Sequence, residues 1–132
     1  MSFIDLDLST RHDQDRAVVT VGGEVDLETA PQLGDHALAA LQDVSPHVVL
    51  DLTGVTFMDS TGLKVLLSIQ RRADLAGGSF ALAGVGRTVA KVLALTGLDQ
   101  TFAIYDTVAD VPPPQAGAGS TPPLSGDAAP TP

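Results

Sequence analysis

The chain contains no cysteine and no tryptophan. The first absence removes disulfides, thiolate metal sites and cysteine nucleophiles together, and it fits a reducing compartment. Basic residues are scarce: seven Lys and Arg face sixteen Asp and Glu, a net charge of -9 over 132 residues. That charge repels a phosphodiester backbone, so no nucleic-acid partner is expected. No run of eighteen apolar residues occurs, and the N-terminus reads Met1-Ser2-Phe3-Ile4-Asp5 rather than a basic region followed by an apolar block. A cytoplasmic protein without a membrane partner is expected.

Several chemical signatures are missing too. There is no G-x-x-x-x-G-K-[ST], no G-x-S-x-G and no H-E-x-x-H, which argues against nucleotide hydrolysis, serine esterase chemistry and zinc peptidase chemistry. His12, His36 and His47 lack the spacing that turns two imidazoles toward one metal, so they are assigned to the surface and no metal or cofactor is expected. Gly84-Val85-Gly86 sits between a strand and a helix, yet the third glycine of a dinucleotide fingerprint is absent, and a tight turn accounts for the pair.

What is present is a chain with 44% hydrophobic residues, enough for one domain with a core. Seven of its nine prolines fall in residues 112–132, where Leu124 is the only large apolar side chain. That segment cannot offset its ordering entropy by burial, so residues 1–111 are expected to form the domain and 112–132 a disordered tail. Within the domain the charge is uneven. Residues 1–59 carry eleven acids and only Arg11 and Arg16, whereas residues 60–111 carry four acids and five bases.

The periodicity alternates between strand and helix. Phe3 to Leu8 alternates apolar and acidic residues, and Ala17 to Val21 is β-branched up to Gly22-Gly23, so two strands are expected. Leu33, Ala37, Leu38 and Leu41 recur at helical spacing between Glu28 and Gln42, with Pro31 in the first turn. Val48 to Leu52 reads as a central strand buried on both faces. A helix over 63–76 ends at Gly77-Gly78, followed by a strand over 79–85, a helix over 88–96 stopped by Gly97, and a strand over 102–105. The order β-β-α-β-α-β-α-β predicts an α/β mixed sheet with an antiparallel first strand and parallel strands thereafter.

Two places could carry chemistry. Asp51, at the predicted end of the central strand, lies where a receiver-type aspartyl phosphoacceptor would sit, although the paired acids and late lysine of that class have no counterparts. The second is Phe57-Met58-Asp59-Ser60-Thr61-Gly62-Leu63. Asp, Ser and Thr at a helix start are caps, but a hydroxyl there can also accept a phosphate, because unpaired N–H groups and the helix dipole favour negative charge. Lys64, Ser68, Arg71 and Arg72 form one polar stripe of the same helix, so a partner reaching Ser60 would also cover Lys64.

Three segments in order, Gly23-Glu24-Val25-Asp26-Leu27-Glu28-Thr29-Ala30-Pro31, then Val49-Leu50-Asp51-Leu52 with Phe57-Met58-Asp59-Ser60-Thr61-Gly62-Leu63, and Leu95-Thr96-Gly97-Leu98, resemble the STAS domain of bacterial anti-sigma factor antagonists. The resemblance spans about residues 3–110 and implies the STAS-type fold and a regulator of transcription and stress response rather than an enzyme. It implies that Ser60 is the phosphoacceptor, with Asp59, Thr61 and Gly62 as its switch loop and Asp26, Ser60 and Lys64 meeting the partner. It further implies an anti-sigma factor that is a serine/threonine kinase, a PP2C-type phosphatase that reverses the reaction, and a sigma factor freed by partner switching. Two alternatives stand beside it: a STAS scaffold or ligand-sensing module in which Ser60 is only a cap, and the aspartyl acceptor at Asp51. The family's longer final helix is not expected, because Thr107 to Val111 runs into three prolines.

Overall fold

Gln14 and Asp15 both adopt positive φ (55° and 64°), the conformation of a two-residue hairpin turn whose twist matches that of paired strands. In the computed structural model, which describes residues 5–114, this turn joins β1 (Asp7–Asp13) to β2 (Arg16–Val25) as an antiparallel pair. The first strand therefore lies later than its expected place over 3–8. Its outer positions are polar and exposed, as suits an edge strand, and they hide the alternation that sequence reading depends on.

The chain continues through α1 (Ala30–Asp43), β3 (His47–Met58), α2 (Ser60–Leu75), β4 (Ser79–Ala83), α3 (Arg87–Thr96) and β5 (Ala103–Tyr105). The strands lie in sequential order, β1-β2-β3-β4-β5, with every pair after the first parallel. A sheet that always steps the same way through right-handed crossovers must put all its helices on one face. The main core follows: Val19, Val21, Leu50, Leu52 and Leu82 of the sheet pack with Leu33 and Ala37 of α1, Leu66 and Ile69 of α2, and Val89 and Leu93 of α3. Phe80 and Phe102 meet edge to face at 5.9 Å on this side.

The opposite face is covered by the C-terminal segment. Val18, Val49, Ala81 and Ala83 bury Val111, with Tyr105 and Val108 packed beside it. One turn of 3-10 helix (Val108–Asp110) stands where a final helix would be, in keeping with the three prolines that follow. The Arg16 guanidinium, 2% exposed, donates from Nη1 to the Val111 carbonyl and from Nη2 to the Val108 carbonyl, pinning this segment across the sheet.

β3 is longer than Val48 to Leu52. It runs to Met58 because β2 also continues past Gly22-Gly23, and two bulges between these strands absorb the extra β3 residues around Leu52–Thr53 and Thr56. Pairing with β4 stops at Asp51, so the last turn of the strand is held by β2 alone. The histidines also need correction. His12 is exposed, but His36 and His47 are half-buried, each spending a ring nitrogen on a side-chain oxygen: Thr10 Oγ1 at 2.7 Å and Ser79 Oγ at 2.9 Å. Residues 115–132, most of the expected tail, lie outside the described residues, while Pro112–Pro114 are described and Pro114 is half-buried. Among the described residues no helix is long and apolar enough to cross a membrane.

Leu66 is fully buried and Leu75, on the same helix, is 76% exposed. Leu66→Ala should cost about 2–5 kcal/mol of unfolding free energy, and Leu75→Ala should stay within about 0.5 kcal/mol of the parent in urea titration.

Candidate functional site

The carboxyl ends of parallel strands form the edge where open α/β sheets place their ligands. Here β2 and β3 end side by side, with Val25 paired to Met58 and the Asp59 N–H donating to the Val25 carbonyl at 3.1 Å. The turns leaving the two strands are thus fixed to one another, and they carry Asp26 and Asp59–Ser60.

Asp59 is the N-cap of α2. Its backbone is extended (φ -103°, ψ -171°), and its Oδ1 accepts from Thr61 N at 2.9 Å and Gly62 N at 3.2 Å. Two orphan donors of the first turn are thereby satisfied, a role in which Asp is among the preferred residues. Ser60, the next residue, is exposed, and among the described residues no hydrogen bond engages its hydroxyl. Cap and hydroxyl are separate groups, so Ser60 is not needed as a cap.

Gly62 shows why the loop is narrow. A Cβ added there would stand 2.6 Å from Met58 Cγ and 2.8 Å from Val25 Cγ1, so the helix can start this close to the strand ends only with glycine. Lys64 lies one turn further along and is exposed, as are Ser68, Arg71 and Arg72, so the polar stripe faces solvent.

Asp26 repeats the device at the end of β2. Its Oδ1 accepts from Glu28 N at 3.0 Å and Thr29 N at 3.1 Å, while Thr29 Oγ1 donates to the Glu24 carbonyl at 2.6 Å. The Thr29 N–H bond, foremost, holds the Asp26 carboxyl below the ordinary aspartate value of 3.8. Asp26 and the Asp59–Ser60 turn therefore share one edge, and Asp26 shapes the turn that presents Leu27.

Sequence reading missed the apolar part of this edge. Leu27 is 73% exposed and Phe57 is 42% exposed, the first in the β2–α1 turn and the second in the overhanging end of β3. No periodicity marks either one, since each is a single side chain outside a helical or alternating pattern.

The other two candidate places have local explanations. Asp51 Oδ1 accepts from Thr53 Oγ1 at 2.6 Å and Thr53 N at 3.1 Å, a turn bond within the strand. Gly84 has φ +69° and presses so closely on the Thr53 side chain that a Cβ would collide with it, which accounts for the glycine without a phosphate.

The family model described as the STAS domain matches residues 7–111. The chain is 33% identical over 94 residues to the anti-sigma-F factor antagonist RsfB of Mycobacterium tuberculosis, covering 71% of this chain and 76% of that one. It is 31% identical over 104 residues to the anti-sigma F factor antagonist of Paenibacillus polymyxa, covering 78% and 89%. The crystal structure of an anti-sigma factor antagonist from Mycobacterium paratuberculosis aligns with a TM-score of 0.69 at 32% identity, covering 80% of this chain and 89% of that one.

Two measurements check the geometry. By carboxyl-detected NMR, Asp26 should titrate below 3.8. Because its folded pKa is depressed, its contribution to stability is complete above the unfolded value and is lost as pH falls through the folded one. An Asp26→Asn variant should accordingly show a shallower acid limb. Asp59→Ala should lower unfolding free energy by about 1 kcal/mol, the usual value of an N-cap.

Proposed function

The chain belongs to the STAS domain family, and on that premise we propose that it is an anti-sigma factor antagonist switched by phosphorylation of Ser60. Its partner in this reading is an anti-sigma factor that is also a serine/threonine kinase. The unmodified protein binds that kinase and so frees a sigma factor. The kinase moves the γ-phosphoryl group of ATP onto Ser60 Oγ, with loss of the hydroxyl proton and release of ADP. A PP2C-type phosphatase hydrolyses the ester and resets the switch. The protein is substrate and ligand in this cycle, a regulatory binding protein and not a catalyst.

The observation that carries the reading is the division of labour between neighbours: Asp59 caps α2, and the exposed Ser60 beside it has a free hydroxyl. A phosphate there adds about 1.5 to 2 negative charges and three acceptors. The amino end of α2 favours that charge, whereas the Asp59 carboxylate opposes it. The fold can therefore carry the modification while an interface built around a small hydroxyl cannot, since burying a dianion without a matched partner is costly. The docking face in this reading is the apolar pair Leu27 and Phe57 beside Ser60, with Lys64 at its side and Asp26 holding the Leu27 turn in place.

Intact mass after incubation with the cognate kinase and ATP tests the assignment. Ser60→Ala should take up no phosphate and bind the kinase constitutively. Ser60→Glu should bind it more weakly by on the order of 100-fold, while melting near the parent temperature. Stoichiometric phosphorylation of Ser60→Ala would assign the switch to another hydroxyl, with Thr61 the first to test. Lys64→Glu should weaken binding without changing the melting temperature.

A further inference from the structure

Thr29 stands at the N-cap of α1, a position where a threonine hydroxyl ordinarily accepts from the N–H groups of the first turn. Here it makes no such bond, although the residue is buried, 2% exposed. The helix start is satisfied without it. Ala30 N donates to the Asp26 carbonyl at 2.8 Å, Pro31 has no N–H, and Gln32 N donates to the Thr29 carbonyl at 2.9 Å. The side-chain hydroxyl is thereby left for the other direction along the chain.

It turns back to the end of β2. Thr29 Oγ1 donates to the Glu24 carbonyl at 2.6 Å and accepts from Asp26 N at 3.0 Å. A hydroxyl has one proton to give and lone pairs with which to accept, so the two bonds stand together. The second bond falls on the Val25–Asp26 peptide group, whose carbonyl accepts from Asp59 N at 3.1 Å. One planar peptide therefore has its N–H held by Thr29 and its C=O held by the residue before Ser60. Any rotation of that plane moves both turns. Leu27 is 73% exposed, so its direction is set by the backbone of its turn rather than by packing.

We infer that the Thr29 hydroxyl is the positioning group that sets the Leu27 turn against the Ser60 turn, and so fixes the spacing of the two features a kinase must engage together. Thr29 is buried and touches neither partner nor phosphoryl group; it acts through the Val25–Asp26 peptide. The consequence for the kinase rests on the reading of Ser60 as phosphoacceptor and Leu27 as part of the docking face, whereas the tie between the turns belongs to this chain alone. Valine at position 29 has nearly the same shape and removes both bonds, leaving the Glu24 carbonyl and the Asp26 N–H without their partner. Serine keeps both.

Two measurements on the full chain test this. The first needs no partner: amide hydrogen exchange by NMR. Thr29→Val should speed exchange at Asp59 and Glu28 by about tenfold more than at Leu50 and Leu82, whose central-strand amides report global stability. Thr29→Ser should exchange like the parent, and Thr29→Ala, the second variant without a hydroxyl, replaces Thr29→Val if that protein does not fold. The second follows phosphorylation of Ser60 by the anti-sigma factor kinase with ATP. Thr29→Val should raise KM for this protein about tenfold with kcat within about twofold, Thr29→Ser should restore the parent value, and in a Leu27→Ala background Thr29→Val should add nothing. An Asp59 amide that kept the parent rate would overturn the inference, as would an unchanged KM, a loss confined to kcat, or additive effects of Thr29→Val and Leu27→Ala. A parent chain that took no phosphate on Ser60 would instead sink the switch reading, and the exchange rates would still decide whether Thr29 ties the turns.

Discussion

The site depends on the pairing of β2 with β3 beyond the point where β4 ends. β4 pairs with β3 from His47 to Asp51, while β2 follows β3 to Met58. The carboxyl end of β3 therefore stands clear of the rest of the sheet and is held from one side. Its position is fixed by the Val25–Met58 register, by the Asp59 N–H bond to the Val25 carbonyl, and by Gly62, which lets α2 begin directly above both side chains. Shortening either strand or adding a side chain at Gly62 would move Ser60 relative to the Leu27 turn, and these are the groups a partner would meet together.

Much of this was legible in the sequence because the helices and central strands bury continuous faces. Leu33 and Ala37, Leu66 and Ile69, and Val89 and Leu93 recur at helical spacing for the same reason that they fill the main core. Val48-Val49-Leu50 is a continuous apolar run because that strand is covered by helices on one face and by the C-terminal segment on the other. The Asp59 cap was legible because capping is local chemistry, settled by residues two and three positions apart.

What was not legible depends on partners distant in sequence. β1 is a polar edge strand, placed by a hairpin turn whose two positive-φ residues are Gln14 and Asp15 rather than the usual glycine-containing pair. The far half of β3 contains Thr53-Gly54, which reads as a break and becomes part of a bulged ladder only because β2 runs alongside. Arg16 reads as one of two bases in an acidic half of the chain. Its burial is set by Val108 and Val111, more than ninety residues later, and no local pattern announces such a contact.

Asp26 and Asp59 show how an acidic chain can be organised by its acids. Each stands just past the end of a parallel strand, and each gives Oδ1 to two backbone N–H groups of the residues that follow. An aspartate committed in this way is fixed in position by the turn it caps. The two turns are tied through Val25, so a change at one strand end is transmitted to the other by backbone rather than by flexible side chains. A phosphate on Ser60 would bring its charge to the helix end already occupied by Asp59, and the bonds from Thr61 N and Gly62 N are those it could compete for. In the proposed cycle the strength of the Asp59 cap would therefore set how far phosphorylation rearranged the loop: a firmly held cap would leave the phosphate pointing outward, where it would act on the partner and not on the fold.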